Sequence, residues 1–204
     1  MLSLLREHTA ELHRRAERAV DLPTRCGDLE SYGRLLELLL GIHSRLESQL
    51  SSWDWAAVGI DFPARQKAHL LRTDLLALGW TAEEVRAVPT GEDRQAPGTL
   101  AGAFGALYVV EGATLGGRII ARQVYATLGV EPSSGGAFHA CYGERSGEMW
   151  RSFCQALEHY CGGDEQRTEE ALEAAAATFE TFERQLGKEL APPARPSTCQ
   201  EASR

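Results

Sequence analysis

The chain has 204 residues, 43% hydrophobic and 25% charged, and its 21 basic and 29 acidic side chains give a net charge of −8 at pH 7. This composition predicts one soluble globular domain, and the acidic balance argues against a general nucleic-acid binder, which needs a concentrated basic surface. The five cysteines are odd in number and have no CxxC spacing, so we expect free thiols rather than a disulfide framework or a structural zinc site.

Apolar residues recur at the helical period and no alternating strand pattern is present, which predicts an all-α fold. In chain order, the predicted helices are about Ser3–Val20, Asp28–Leu50, Pro63–Leu78, a short helix from Thr81, then about Gly98–Leu128, Glu144–Tyr160 and Gln166–Leu190. Asp28 is a predicted N-cap, and Thr81 with Glu84 has the spacing of a capping box. Residues 191–204 have no apolar periodicity, so we predict one domain over residues 1–190 and a disordered tail.

The predicted helix after Gly98 is nearly uncharged and carries many glycines. A glycine in a helix interior costs about 1 kcal/mol relative to alanine, so several of them need an explanation. Close packing of another helix, a membrane span with small-residue faces, or a flat ligand lying on exposed backbone would each provide one. Glu111 and the high glycine and alanine content argue against a membrane span, and the N-terminus has no secretory apolar region, so we expect a cytoplasmic protein.

His13 is the histidine whose helical neighbours best suit a metal ligand. Thr9, Ala10 and Ala16 lie within one turn and leave room for a flat ring, and Glu17 follows at i+4. A carboxylate there can accept the Nδ1 proton and leave Nε2 to coordinate iron, although a helical histidine is more often a surface or core residue. The sequence has no HxxxH, HExxH, GxSxG, P-loop or GxGxxG motif, which disfavours zinc, di-iron, hydrolase and nucleotide sites.

Two segments of the sequence, by their motifs, their order and the distance between them, resemble haem oxygenases. Residues 5–17, LREHTAELHRRAE, are similar to the N-terminal helix that carries the proximal histidine of that family. Residues 108–120, YVVEGATLGGRII, resemble its kinked distal helix, most closely in the bacterial branch that makes biliverdin, often for bacteriophytochromes. The resemblance covers about residues 2–190, so it implies the fold and activity of the whole domain.

The resemblance implies that haem, as both cofactor and substrate, lies between the first helix and a glycine helix bent near residues 112–117. His13 would be the iron ligand, with the backbone of Gly112, Gly116 and Gly117 close to the other face of the ring, while Gly102 and Gly105 are left to helix packing. O2 and electrons from an external donor, a ferredoxin or flavin reductase, would open the ring to biliverdin and release iron and CO. A bacteriophytochrome would be the biliverdin acceptor.

The resemblance also assigns roles to individual side chains. The catalytic set that it implies is Gly112, Gly116 and Thr114, and the haem-binding set is Arg6, Glu17, Tyr108, Gly117, Arg118, Arg122 and Phe182. Arginines and a tyrosine suit the haem propionates, since an arginine holds a carboxylate through two parallel hydrogen bonds.

Position 113 departs from the family pattern. Better-known members have an aspartate there, which anchors a water network that delivers protons, and this chain has Ala113. Thr114, Glu111 or ordered water could take over that role, and the sequence does not choose between them. The alternatives to a haem oxygenase are therefore a non-catalytic haem binder with the same fold and a helical scaffold whose glycines serve only packing.

Overall fold

The structure is a computed structural model that describes residues 1–91 and 96–187. These residues form helices and connecting turns without a strand, as predicted. The α-helices of these two ranges are α1 (Leu2–Val20), α2 (Leu22–Arg25), α3 (Leu29–Leu50), α4 (Ala68–Ala77), α5 (Ala82–Ala87), α6 (Leu100–Leu128), α7 (Ser146–Cys161) and α8 (Glu165–Leu186). The 3₁₀ turns between them are Ala56–Val58, Pro63–Arg65, Pro132–Ser134 and Gly143–Arg145. The predicted tail over 191–204 lies outside the described residues.

Local capping signals explain where several helices begin. The Asp28 side chain accepts a backbone N–H at 2.7 Å at the start of α3, and Thr81 with Glu84 forms the predicted capping box of α5. Helices α4 and α7 begin later than predicted, at Ala68 and Ser146, because a separate 3₁₀ turn lies just before each. The end of the last helix predicted at position 190 lies outside the described residues, and α8 ends at position 186.

The glycine-bearing helix α6 is the central helix of the core, and α8 packs against both α6 and α1. A Cβ on Gly105 would collide with the backbone carbonyl of Ala171 in α8, so Gly105 permits the close approach of these two helices, as predicted. The prediction is wrong for Gly102, where a Cβ would lie at an ordinary 3.6 Å from the Ala174 Cβ. Helix α6 is continuous over its 29 residues. The bend proposed near residues 112–117 stays a prediction.

One described helix, α6, is long and apolar enough to cross a membrane, but 72% of its most apolar window is buried inside the fold. That burial identifies α6 as a core helix and agrees with the sequence argument against a membrane span. The four described cysteines, Cys26, Cys141, Cys154 and Cys161, are free thiols, as predicted, and Cys199 lies outside the described residues.

Candidate functional site

A cavity of about 640 Å³ opens in the helical body, which is within the range of about 300–1,000 Å³ typical of small-molecule sites. Its lining comes from α1, α3, α6 and α8 and from the segment 138–141, with single residues from elsewhere: Leu22, Lys67 and Trp150. Most of these side chains are apolar, and the polar groups are concentrated on α1 and around α6. An apolar cavity with few polar groups suits a large, flat and mostly apolar ligand.

His13 projects from α1 into this cavity with 54% of its side chain exposed. Its Nδ1 atom lies 3.5 Å from Glu17 Oε2, as the i+4 spacing predicts, and its ring meets Phe179 of α8 edge to face at 5.6 Å. Nε2 makes no hydrogen bond to any described residue. The imidazole is thus oriented by its neighbours and presents a free nitrogen to the cavity, which is the arrangement a metal-binding histidine needs.

Two other histidines, His43 and His139, also line the cavity but are buried in its walls. His43 lies edge to face against Phe138 and Phe182, and burial lowers its pKa. Burial also lowers the pKa of His139, to about 4, and its Nε2 has no hydrogen-bond partner among the described residues. Both imidazoles are therefore neutral near pH 7, and neither has the exposure of His13.

The α6 wall of the cavity contains a stretch of bare backbone. A Cβ on Gly116 would have no atom within 4 Å, and one on Gly112 would only reach Trp150 at 3.9 Å. No group of the described residues therefore explains these two glycines, and both line the cavity. Gly117 lines it too, but its Cβ would lie 2.6 Å from the carbonyl oxygen of His139, so protein packing alone requires this glycine.

The structure brings together most of the side chains that the sequence singled out. Those that line the cavity with His13 are Arg6, Glu17, Tyr108, Gly112, Thr114, Gly116, Gly117 and Phe182. Arg118 and Arg122 do not line it. Arg122 donates from Nε to the Arg118 carbonyl at 3.2 Å and borders a separate cavity of about 180 Å³, so neither arginine is placed to hold a group in the main cavity.

The candidates for proton delivery differ in their access to the cavity. The Thr114 hydroxyl lines it but donates its hydrogen to the Glu111 carbonyl at 2.7 Å. Glu111 is fully buried and does not line the cavity, and its side chain lies in a charged cluster with Arg65, Lys67 and Tyr142. Ala113 leaves this turn without a carboxylate that faces the cavity.

Sequence reasoning missed this cluster. Glu111 pairs with Arg65, and its Oε1 accepts hydrogen bonds from Lys67 Nζ and from the Tyr142 hydroxyl, both at 2.8 Å. A lone carboxylate in an apolar helix is a signal for a buried cation, since an unpaired charge is costly in a core. This signal does not identify the cation, because Arg65 and Lys67 are more than 40 residues away from Glu111 in the sequence. They also lie in or next to a 3₁₀ turn, where the apolar pattern predicted a helix.

Asp74 fixes the segment that carries Phe138 and His139. Its carboxylate accepts the backbone N–H groups of Ala137 and Phe138, each at 2.8 Å. Burial raises the pKa of Asp74, and these two hydrogen bonds oppose that rise. The clamp holds this wall of the cavity against α4.

The cavity fits haem by the features of its own residues. Haem iron needs an axial ligand, and His13 offers a free nitrogen from one wall. A planar ring needs close approach without side chains, and the Gly112–Gly116 turn offers it on another wall. Arg6 and Tyr108 line the cavity as polar groups of the kind that would suit haem propionates.

The chain is similar to known proteins over most of its length. The family model described as "Heme oxygenase" matches residues 1–188. A curated haem oxygenase of Xanthomonas campestris pv. campestris (strain 8004) is 31% identical over 168 residues, which cover 81% of this chain and 94% of that protein. The NO- and CO-bound haem oxygenase of Neisseria meningitidis has a TM-score of 0.75 at 19% identity, over 98% of both chains. Haem oxygenase from Leptospira interrogans has a TM-score of 0.72 at 18% identity, over 91% of this chain and 97% of that one.

Proposed function

Because this chain belongs to the haem oxygenase family and is an enzyme that degrades haem, we propose that its cavity holds haem with His13 as the iron ligand. The observation that carries this assignment is the free imidazole of His13 in the same cavity as the bare turn of α6. When bound, haem supplies the iron at which O2 reacts and is also the substrate whose ring is opened to biliverdin, with release of iron and CO.

The residues of α1 and α8 would bind and orient the ring. Glu17 Oε2, 3.5 Å from His13 Nδ1, would accept the Nδ1 proton and leave Nε2 to face the iron, while the Phe179 edge limits rotation of the imidazole. Arg6 and Tyr108 are the groups proposed to hold propionates, since both line the cavity. Phe182, on the cavity wall, contributes apolar surface that keeps water away from the ring. Arg118 and Arg122 are not part of this proposal.

The α6 turn would provide room beside the reacting face of the ring. Gly112 and Gly116 leave backbone where any side chain would occupy the space of the ring or of its gaseous ligand. Thr114 can offer a lone pair to a water there, since its hydrogen is donated to the Glu111 carbonyl.

We also propose that electrons come from an external donor, a ferredoxin or a flavin reductase, because the sequence contains no flavin or nicotinamide motif of its own. A bacteriophytochrome is the proposed acceptor of biliverdin, and the cytoplasm is the proposed compartment. These three assignments rest on the resemblance of the chain to the bacterial branch of the family.

Haemin titration tests the iron ligand. We expect the wild type and a His8→Ala control to give the same Soret band, because His8 lies on α1 but outside the cavity lining. His13→Ala should give a different spectrum, which added imidazole restores by filling the vacated site. Identical spectra for wild type and His13→Ala would remove His13 as the ligand.

Turnover tests the reaction. With haemin, O2 and a ferredoxin and its reductase, the Soret band should disappear, and biliverdin and CO should form in equal amounts. Wild-type protein that binds haemin but leaves it intact with every electron donor would contradict the proposed reaction. Absorption and mass spectra of the product identify the biliverdin isomer.

A further inference from the structure

The carboxylate of Glu111 has more positive charge around it than its burial requires. Arg65 pairs with it directly and is itself held by the Met149 carbonyl at 3.2 Å and by Ser152 Oγ at 2.9 Å. This pair is balanced in charge and well hydrogen-bonded, which is what a buried carboxylate needs. Lys67 adds a second cation, with only 2% of the residue exposed. Burying an ammonium is costly, and its carboxylate partner Glu111 is already paired with Arg65.

The ionisable groups near Lys67 are Glu47 and His43 of α3, Glu111 of α6, Arg65, Cys141 and Tyr142. Of these side chains, only Glu111 accepts a hydrogen bond from the ammonium. Burial opposes ionisation of Glu47, but its contact with His43 and the backbone N–H groups of Lys67 and Ala68, at 2.6 and 2.9 Å, outweigh this and lower its pKa. Its carboxylate therefore contacts the main chain of Lys67 and not the ammonium.

Lys67 is the member of this cluster that reaches the cavity. Glu111, Arg65 and Tyr142 do not line it, whereas Lys67 does. Of the three N–H groups of the ammonium, one donates to the Arg65 carbonyl and one to Glu111 Oε1, each at 2.8 Å, and Nζ lies 5.0 Å from the centre of the Tyr142 ring. One N–H therefore has no oxygen or nitrogen acceptor among the described residues.

We propose that Lys67, which precedes α4 and contacts α6 through Glu111, is the proton-donating residue of the cavity, where Ala113 provides no carboxylate. Its third N–H donates to a water in the cavity. Nζ gives up one proton to that water, the water passes one of its own protons toward the bound gas, and solvent entering the cavity returns a proton to Nζ. No electron moves in this exchange. The proposal rests on the proposed function, since it needs haem in the cavity.

The remaining polar groups of the cavity are less suited to this role. The Thr114 hydrogen is used within α6, and His43 and His139 are neutral near pH 7. Arg6 and Arg14 line the cavity from α1, but a guanidinium keeps its proton in proteins. An ammonium, in contrast, can lose a proton and regain it.

The test compares Lys67→Met, Lys67→Arg and an Arg72→Met control, each loaded with haemin. Met keeps the unbranched shape and leaves the Arg65–Glu111 pair intact, and Arg72 is an exposed cation of α4 outside the cavity lining. Removing a positive donor from the cavity should raise the infrared CO stretch of the ferrous CO complex and raise the pH of the acid–alkaline absorption change of the ferric complex. We expect Lys67→Met to shift both and Arg72→Met to shift neither.

Single-turnover rates distinguish proton transfer by Lys67 from the effect of its positive charge alone. A general acid contributes about 10²–10⁴-fold, so Lys67→Met should lower the rate of haem loss by about 100-fold or more. Lys67→Arg should restore the CO stretch but not the rate, because arginine donates a hydrogen bond without releasing its proton. A Lys67→Met variant that binds haemin with wild-type CO stretch, pH midpoint and rate would overturn the proposal.

A measurement on the wild type keeps the proposal testable if the variants do not fold. Its CO stretch should differ between H2O and D2O, because an exchangeable hydrogen faces the CO, and the absence of any difference would also overturn the proposal. If the wild type fails to bind or degrade haemin, the proposed function is wrong, whereas normal degradation with unaltered Lys67 variants contradicts only the role of Lys67.

Discussion

Replacing Gly116 with alanine should make the free protein more stable and the enzyme worse. A Cβ at this position would have no neighbour within 4 Å, so the substitution meets no steric resistance in the free chain. Alanine is about 1 kcal/mol better than glycine in a helix interior, and Gly116 lies well inside α6. For a chain of this size, that gain corresponds to a rise in the melting temperature of about 2–4 °C. In the proposed complex, the same methyl group would occupy the space beside the haem.

The assay pairs two measurements on each variant. Urea unfolding of the haem-free protein gives the free energy of unfolding, and haemin titration with turnover gives the function. Gly105→Ala is the matched control, because its methyl group would collide with the Ala171 carbonyl and should destabilise the fold by a few kcal/mol. A Gly116→Ala protein that is less stable than the wild type, or that degrades haem at the wild-type rate, would refute the assignment of this glycine to the ligand.

Three other outcomes follow from the buried groups. Glu111→Gln should lower the free energy of unfolding by about 3–5 kcal/mol, because it leaves Arg65 and Lys67 without their anion. Urea unfolding measures this change, and a decrease below about 1 kcal/mol would contradict the prediction. Burial lowers the pKa of His139 from 6.5 to about 4, so the unfolded chain takes up the proton first as the pH falls. The free energy of unfolding of the haem-free protein should therefore fall by about 3 kcal/mol between pH 6.5 and 4 because of this residue. His139→Phe should remove this fall, and an equal dependence of the unfolding free energy on pH in wild type and variant would disprove the reasoning. Asp74→Asn should weaken the hydrogen bonds to residues 137–138 and raise the haemin dissociation constant. An unchanged dissociation constant would show that these hydrogen bonds do not affect ligand binding in the cavity.

The features that could be predicted from the sequence are those that depend on neighbours in the same helix. The Asp28 cap and the Thr81 capping box involve residues three apart, and the His13–Glu17 contact spans one turn. Their geometry is fixed once the helix forms, so spacing alone was sufficient.

The features that could not be predicted depend on which distant backbone lies opposite a residue. Gly116 and Gly117 are adjacent in sequence, yet only Gly117 lies against the His139 carbonyl, and this contact exists only after the segment 138–141 has folded back on α6. The partners of Glu111 likewise come from another turn of the chain.

The placement of Arg118 and Arg122 could not be decided by counting along the helix. At 100° per residue, they lie about 120° and 80° from Gly112 around the axis of α6. Thr114 and Leu115 lie about 160° and 60° from Gly112 on the same side and line the cavity, so the angle alone does not separate the arginines from it.

The position of His13 on the first helix has a consequence for the release of product. Helix α1 packs on α8. A bond from His13 to iron would also connect α1 to the bound ring, which would lie between α1 and the α6 wall of the cavity. In the proposed mechanism, ring opening removes the iron and with it this attachment. The loss of the His13 bond would lower the affinity of the cavity for biliverdin relative to haem.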